Sequence, residues 1–341
     1  MRCLGVDLHK RQFHVCYLSE GSCEHREFMM EELPVFLSTL EMEDQVAVEA
    51  TGNTHYFVNE IESYVSKVIV VNPRQFRVIE DSIKKTDYND AELLARFLSF
   101  DGLLPEVKLP QKEASQIKSL AHTRNKLVQL RTALKNKIHG IMTFHGILLK
   151  REALSSDKGL DRALSAAGLS ASARFEVEIL VEQIRSLNAS IKKIDAELED
   201  RGRKLKGHRN ITSIKGVGDK SASILLSVIG DINNFPSRKQ LDSYFGIVPK
   251  VRNSGDTVRH GHISKQGSKL GRTTLVQCTL IAIRYSPYLR SYYERLKSKK
   301  GSGKAIIATA RKLLGTIYML LSEDLIFEDF ESGVLVKATH S

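Results

Sequence analysis

The chain has 341 residues, room for two or three domains at roughly 150 residues each, and 42% hydrophobic with 27% charged residues is a globular composition that argues against global disorder. No apolar run reaches the roughly 18 residues of a membrane span, and Cys3, Cys16, Cys23 and Cys278 form no CxxC pair, against a zinc ribbon or a disulfide framework. Net charge is +11, unevenly spread: residues 1–105 carry 10 basic and 18 acidic side chains, 106–205 carry 19 and 12, and 206–341 carry 22 and 10. An acidic head on a basic body points to a polyanion gripped by the C-terminal two-thirds. Met1–Asp7 runs straight into a strand-like pattern without signal-peptide features, so a cytoplasmic protein is expected.

In chain order, residues 2–8 and 12–18 are short, β-branched and aromatic-rich, and with the EHREF run near residue 26 they predict an antiparallel meander. Residues 31–40 read as helix, 45–50 as strand and 54–64 as helix opening after Gly52-Asn53. KVIVVN (67–72) is a continuous apolar run, the pattern of a buried parallel strand, closed by Pro73, and 89–100 return to helix. The whole predicts an α/β domain over 1–105, a mixed sheet covered by helices. Pro105 and Pro110 mark a boundary. Beyond it a helical or coiled-coil domain is expected over 106–206. Ile117, Leu120, Leu127, Leu130, Leu134, Ile138 and Ile141 keep three/four spacing, and Val177, Leu180, Ile184, Leu187, Ile191, Ile194 and Leu198 form a heptad seam. That seam fits either a hairpin packed on itself or a coiled coil pairing subunits, with dimerisation slightly favoured. Residues 207–341 predict a mainly α C-terminal domain.

Four acids stand out, the first where charge is costly. Asp7 lies inside the first strand, Glu49 ends VAVEATG, and Asp87 and Asp90 share one face of a helix start at i, i+3 spacing. Taken singly, Glu49 could be a strand-end residue, Asp87 a turn residue and Asp90 a helix N-cap. Taken together, a first strand, a later parallel strand and a following helix resemble the elements that meet at the active edge of an RNase H-like (RuvC-like) fold. Four carboxylates there can hold two Mg²⁺ or Mn²⁺ ions about 4 Å apart for phosphodiester chemistry. His9 and His14 lack ligand spacing with a Cys or second His and read as incidental.

ITSIKGVGDKSASILLSVIGD (211–231) resembles a helix-hairpin-helix motif in which Lys215, Gly216 and Gly218 let the backbone meet a phosphate. A Rossmann loop is excluded by the missing third Gly. In 244–277, Ser254-Gly255 sits among Lys250, Arg252, Arg259, Lys265, Lys269 and Arg272, a cluster that suits phosphates. The serine is either a turn residue or a nucleophile whose alkoxide the cations favour.

These stretches carry a family resemblance over nearly the whole chain: GVDLHK, VEATG and KTDYNDAELLA, then IKGVG, DSYFGIVP, NSG and R-x-G-x-I-S-K-x-G. The sequence resembles the DEDD-type insertion-sequence transposases, the group related to the pilin-gene invertase and described as bridge-RNA-guided serine recombinases. The resemblance implies that Asp7, Glu49, Asp87 and Asp90 form the metal site, and that Ser254 becomes covalently joined to DNA, with Ser264 the competing candidate. It implies donor and target DNA, a non-coding bridge RNA, a homodimer or homotetramer with composite sites, and nucleoid association in action. Where the family commonly has N-x-x-L-R, this chain has SKLGR, so Arg272 is the expected substitute. The rival reading is a RuvC-like metal-dependent junction nuclease using water.

Overall fold

The computed structural model describes residues 2–76, 87–100, 104–109, 112–254, 257–328 and 335–337. Contacts divide the chain into two compact units, Met1–Leu109 and Pro110–Ser341. The regions read as two domains, 106–206 and 207–341, therefore share one unit apart from their first four residues.

In the first unit, β1 (Cys3–Leu8), β2 (Gln12–Ser19) and β3 (Ser22–Met29) form the expected antiparallel meander. Glu20 (φ 50°) and Gly21 (φ 84°) make the two-residue β2–β3 turn, the left-handed backbone that matches strand twist. The short helix α1 (Leu33–Leu37) leads to β4 (Gln45–Glu49), then α2 (Thr54–Ile61), β5 (Lys67–Val71), α3 (Pro73–Phe76) and α4 (Asp87–Ser99). Strand order is β3-β2-β1-β4-β5, with β4 parallel to β1 and β5 parallel to β4. Helices lie on both faces, so β1 is buried along its length. Leu4, Val6 and Leu8 face a core with Phe13, Phe36 and Phe57, each fully buried ring contributing about 1.5–3 kcal/mol. Cys3 faces the other way, with Cys16, Ala47 and the Ala91, Leu94 and Ala95 of α4.

Two expectations are corrected. The helix read over 31–40 shrinks to a 3-10 turn (Met30–Glu32) and α1, where Pro34 is accepted in the first turn. The apolar run of β5 is an edge strand, not a central one, and its first half is exposed to half-buried. Its open backbone is met by the segment after α4: Asn72 donates to Pro105 O (2.9 Å), and Val107 donates to Val70 O (2.7 Å). That cover, with the exposed Lys67 at the strand start, explains how the edge is tolerated.

In the second unit, α5 (Lys112–Phe144) and α7 (Ala171–Arg203), each of 33 residues, pack antiparallel, with α6 (Asp157–Leu164) between them in sequence. Arg131 donates to Asn188 (2.9 Å), Arg201 to Gln116 (2.9 Å), and Arg124 pairs with Asp195. The seam is therefore filled within one chain: Val177, Ile184, Ile191 and Leu198 are buried, whereas Leu180, Leu187 and Ile194 are only half-buried. Hairpin packing, the reading that sequence placed second, accounts for the buried half of the heptad. Burial pushes the Asp195 carboxyl up, but bonds from Arg124 and from Lys220 (3.1 Å) outweigh it and hold the group below its ordinary value.

The rest is mainly helical: α8 (His208–Thr212), α9 (Asp219–Ile229), α10 (Arg238–Tyr244), the antiparallel pair β6 (Pro249–Ser254) and β7 (Thr257–Ile263), then α11 (Lys269–Tyr285), α12 (Pro287–Lys300) and α13 (Ser302–Ser322). A small pair, β8 (Leu325–Phe327) and β9 (Leu335–Lys337), closes it. Among the described residues one helix, α13, is long and apolar enough by length and composition to cross a membrane, a feature missed by counting uninterrupted apolar residues. Its Ala310, Leu313, Leu314, Ile317 and Leu320 are fully buried against α9 and α11 residues such as Leu225 and Leu275, the pattern of a core helix.

Candidate metal centre and the C-terminal hairpin

The register of the parallel strands builds the first half of the acidic site. Val6 pairs with Val48, the last pair of the ladder, and Asp7 and Glu49 are the next residues of their two strands. By strand alternation both point to the α4 face, the side of Gly5 and Ala47. The second half comes from α4, whose first turn holds Asp87 and Asp90. An acid there is favoured by the positive helix end. The helix is seated directly on β1: a Cβ on Gly5 would lie 2.0 Å from Ala91 O and 2.5 Å from Ala95 N. Tyr88 caps the contact, its ring 4.2 Å from that of His14 and 4.7 Å from that of His25.

Asp7, Asp87 and His9 form a tight group, with one ligand atom of each within 4.8 Å of the other two. His9 Nε2 is 3.3 Å from Asp7 Oδ2 and 3.4 Å from Asp87 Oδ2. Asp7 is buried, whereas Asp87 and His9 are exposed. Burial pushes the Asp7 carboxyl up from its ordinary value; His9 pulls it back, and the negative charges of Asp87 and Asp90 push it further up. A buried acid crowded by like charge is stabilised by a cation, and carboxylate oxygens suit a divalent one. Glu49 and Asp90 are half-buried and lie outside this tight group. His9, set aside on spacing, is inside it. Its visible signal was D-x-H at a strand end, where alternation returns residue i+2 to the side of residue i.

The C-terminal elements are placed as follows. Ser254 ends β6 and pairs with Thr257, so it stands at the tip of the β6–β7 hairpin, and Arg252 pairs with Arg259 on the same ladder. The side chains of Ser254, Arg252 and Arg259, with Gly255 and Asp256, lie outside the described residues. Ser264 is half-buried and its amide donates to Val248 O (2.8 Å); Lys265 and Lys269 are exposed. Arg272 donates to Phe245 O (2.9 Å), which ties α11 to the end of α10.

Residues 208–229 do form helix, turn and helix. Gly216 also has a packing role. At φ +118° it lies against α11, and an added Cβ would stand 2.6 Å from Ala282 N, so packing demands this glycine. Gly218 has open space around it and Lys215 is exposed. Asp219 occupies the first turn of α9, paired with Arg203 at 3.0 Å, which sets a negative charge where a phosphate was expected. Gly216→Ala is expected to cost about 1–3 kcal/mol by pressing α11 away, read as a lower denaturant midpoint; an unchanged midpoint would refute the packing role.

Acids at the ends of two adjacent parallel strands and on a helix laid across them define a mixed α/β domain of the DEDD nuclease-like class. Residues 4–147 match the DEDD transposase family of the IS110 type, and residues 208–294 match the transposase IS116/IS110/IS902 family, together about two thirds of the chain and in this order. The chain belongs to the IS110 family of DEDD transposases. It is 26% identical to a probable family 20 transposase of Pseudomonas aeruginosa over 94% of this chain and 93% of that one. It is 26% identical to the transposase for insertion sequence element IS1111A of Coxiella burnetii, over 94% and 90%, and 24% identical to the pilin gene-inverting protein of Moraxella lacunata, over 95% and 97%.

Proposed function

We infer that this transposase cuts and rejoins DNA through a Ser254–DNA ester, with an RNase H-like site of Asp7, Glu49, Asp87 and Asp90 that holds Mg²⁺ or Mn²⁺. The observation that carries the reading is the convergence of Asp7 and Asp87 on one point, with Glu49 at the end of the neighbouring parallel strand. When bound, divalent ions supply charge stabilisation to the attacking and leaving oxygens. The chain's own residues do the rest. Asp7 and Glu49 fix the site to the sheet, and α4 adds two acids from its positive end. Ser254 Oγ attacks the scissile phosphorus and the P–O bond to the deoxyribose breaks; the serine proton passes to a base, and an equivalent proton returned to the displaced oxygen lets it leave as a hydroxyl. The Ser–phosphate ester conserves the bond energy, so the reverse attack rejoins strands without ATP. Support for the serine is its place at a hairpin tip among Lys250, Arg252, Arg259, Lys265 and Lys269. Support for a guide RNA and for two DNA partners is the charge of the second unit's sequence, +7 over 106–205 and +12 over 206–341. A homodimer or homotetramer is part of the same proposal, supported by the half-buried Leu180, Leu187 and Ile194.

Trapping on denaturing gels tests the serine. Wild type is expected to give a protein–DNA adduct and Ser254→Ala none, with strand transfer lost. If Ser254→Ala keeps cleavage and wild type gives no adduct, the chain is a metal-dependent nuclease using water. Affinity for DNA should also fall steeply with salt, about 10³-fold or more between 50 and 200 mM for six or more phosphate contacts. A flat response would remove the basic body from the binding account.

A further inference from the structure

We propose that His9 is a ligand of the metal held by Asp7 and Asp87, making a mixed nitrogen–oxygen set that favours Mn²⁺ over Mg²⁺. The inference rests on the metal reading above and adds to it a residue outside the four acids.

Three observations carry it. First, a single atom, His9 Nε2, approaches both carboxylates, at 3.3 and 3.4 Å. Both separations exceed a good N–H···O hydrogen bond of about 2.7–3.2 Å, so neither carboxylate holds the nitrogen in a tight hydrogen bond. They approach the edge of an octahedron: adjacent ligands on bonds of about 2.1 Å stand about 3 Å apart. Second, the His9 backbone is clamped from two sides. Its amide donates to Gln12 O (3.0 Å) in the β1–β2 turn, and its carbonyl accepts from Asn53 Nδ2 (2.9 Å). Asn53 follows Glu49 by four residues, so one loop supplies an acid of the site and the anchor of its histidine. Such holding from outside is what a preorganised ligand requires. Third, the imidazole is half exposed with no packing role of its own, unlike His14, which is buried against Tyr88. Imidazole nitrogen suits transition metals, whereas Mg²⁺ prefers oxygen, so its presence shifts the balance towards Mn²⁺.

The full chain is titrated with Mn²⁺ and bound ion is read by electron paramagnetic resonance, with spin-echo detection of directly bonded nitrogen and Mg²⁺ competition for selectivity. Wild type is expected to show nitrogen coupling. His9→Ala should lose it, bind Mn²⁺ about tenfold more weakly and lose Mg²⁺ affinity less. His9→Gln, which offers an amide oxygen, should lose the coupling and keep more of the affinity. Because His9 is exposed, both variants should keep the wild-type circular dichroism. If Mn²⁺ binds and needs Asp7, yet coupling is absent or survives in His9→Ala, the histidine is no ligand and the acidic site stands. If wild type binds no Mn²⁺, the metal reading itself is overturned.

Discussion

Asp7→Asn is expected to remove DNA cleavage by on the order of 10³-fold or more while raising the thermal midpoint of the metal-free protein at neutral pH. The two effects have one cause. Losing the carboxylate that holds the cation costs several kcal/mol of transition-state stabilisation. In the folded state without metal, that same carboxylate is buried beside Asp87 and Asp90, and its pKa is raised. A raised folded pKa means the folded state binds protons more tightly than the unfolded one. Stability therefore falls as pH climbs from the ordinary carboxylate value through Asp7's higher folded value, and the loss persists above it. Asparagine carries no such charge, so the slope attributable to this group should vanish in Asp7→Asn. Divalent metal should raise the midpoint of wild type by binding only the folded state, and leave that of the variant nearly unmoved. Thermal melts at several pH values, with and without Mn²⁺, check all of this. A variant less stable than wild type without metal would mean Asp7 is a structural acid.

Gly5→Ala is expected to damage fold and chemistry together, although the side chain added is one methyl group. Its Cβ would come within 2.0 Å of Ala91 O and 2.5 Å of Ala95 N, both main-chain atoms of α4, so no rotamer can relieve the contact. The helix must move outward. Overpacking costs about 1–3 kcal/mol, and a backbone-on-backbone clash belongs at the upper end or beyond. Because α4 carries Asp87 and Asp90 while β1 carries Asp7, the same movement opens the acidic site. A displacement of ~1 Å is enough for a loss of about 10²-fold in rate. Urea unfolding and a Mn²⁺ titration on one preparation test it. Wild-type values in both would show that α4 is not seated as described.

The four acids were readable as a pattern of strand and helix positions. Asp7 is a charge in an otherwise apolar strand, Glu49 ends another such strand, and Asp87 and Asp90 repeat at helical spacing. The meander was equally legible, since β1 to β3 are adjacent in sequence and pair through short turns. His9 was set aside because it lacks ligand spacing with a Cys or a second His, although D-x-H at a strand end was there to be seen. The edge position of β5 was hidden because its Val and Ile residues carry no mark of which neighbour they pair with. The heptad in α7 gave the helix and its apolar stripe, but a stripe has the same period whether it meets α5 or another chain. At Gly216, G-x-G suggested a ligand, and nothing in the sequence signalled the packing against Ala282, more than sixty residues away.

Periodicity, charge and the strand and helix positions of the acids follow from neighbours within a few residues, so the chain alone determined its helices and strands, its acidic head and basic body, and its DEDD motif. Tertiary structure decided the parallel pairing of the strands that carry Asp7 and Glu49, the seating of α4 on Gly5, and the approach of His9 to Asp7 and Asp87. Each of those depends on atoms that become neighbours only after long loops close. Their energies belong to pairs of elements, and no single segment of sequence carries them.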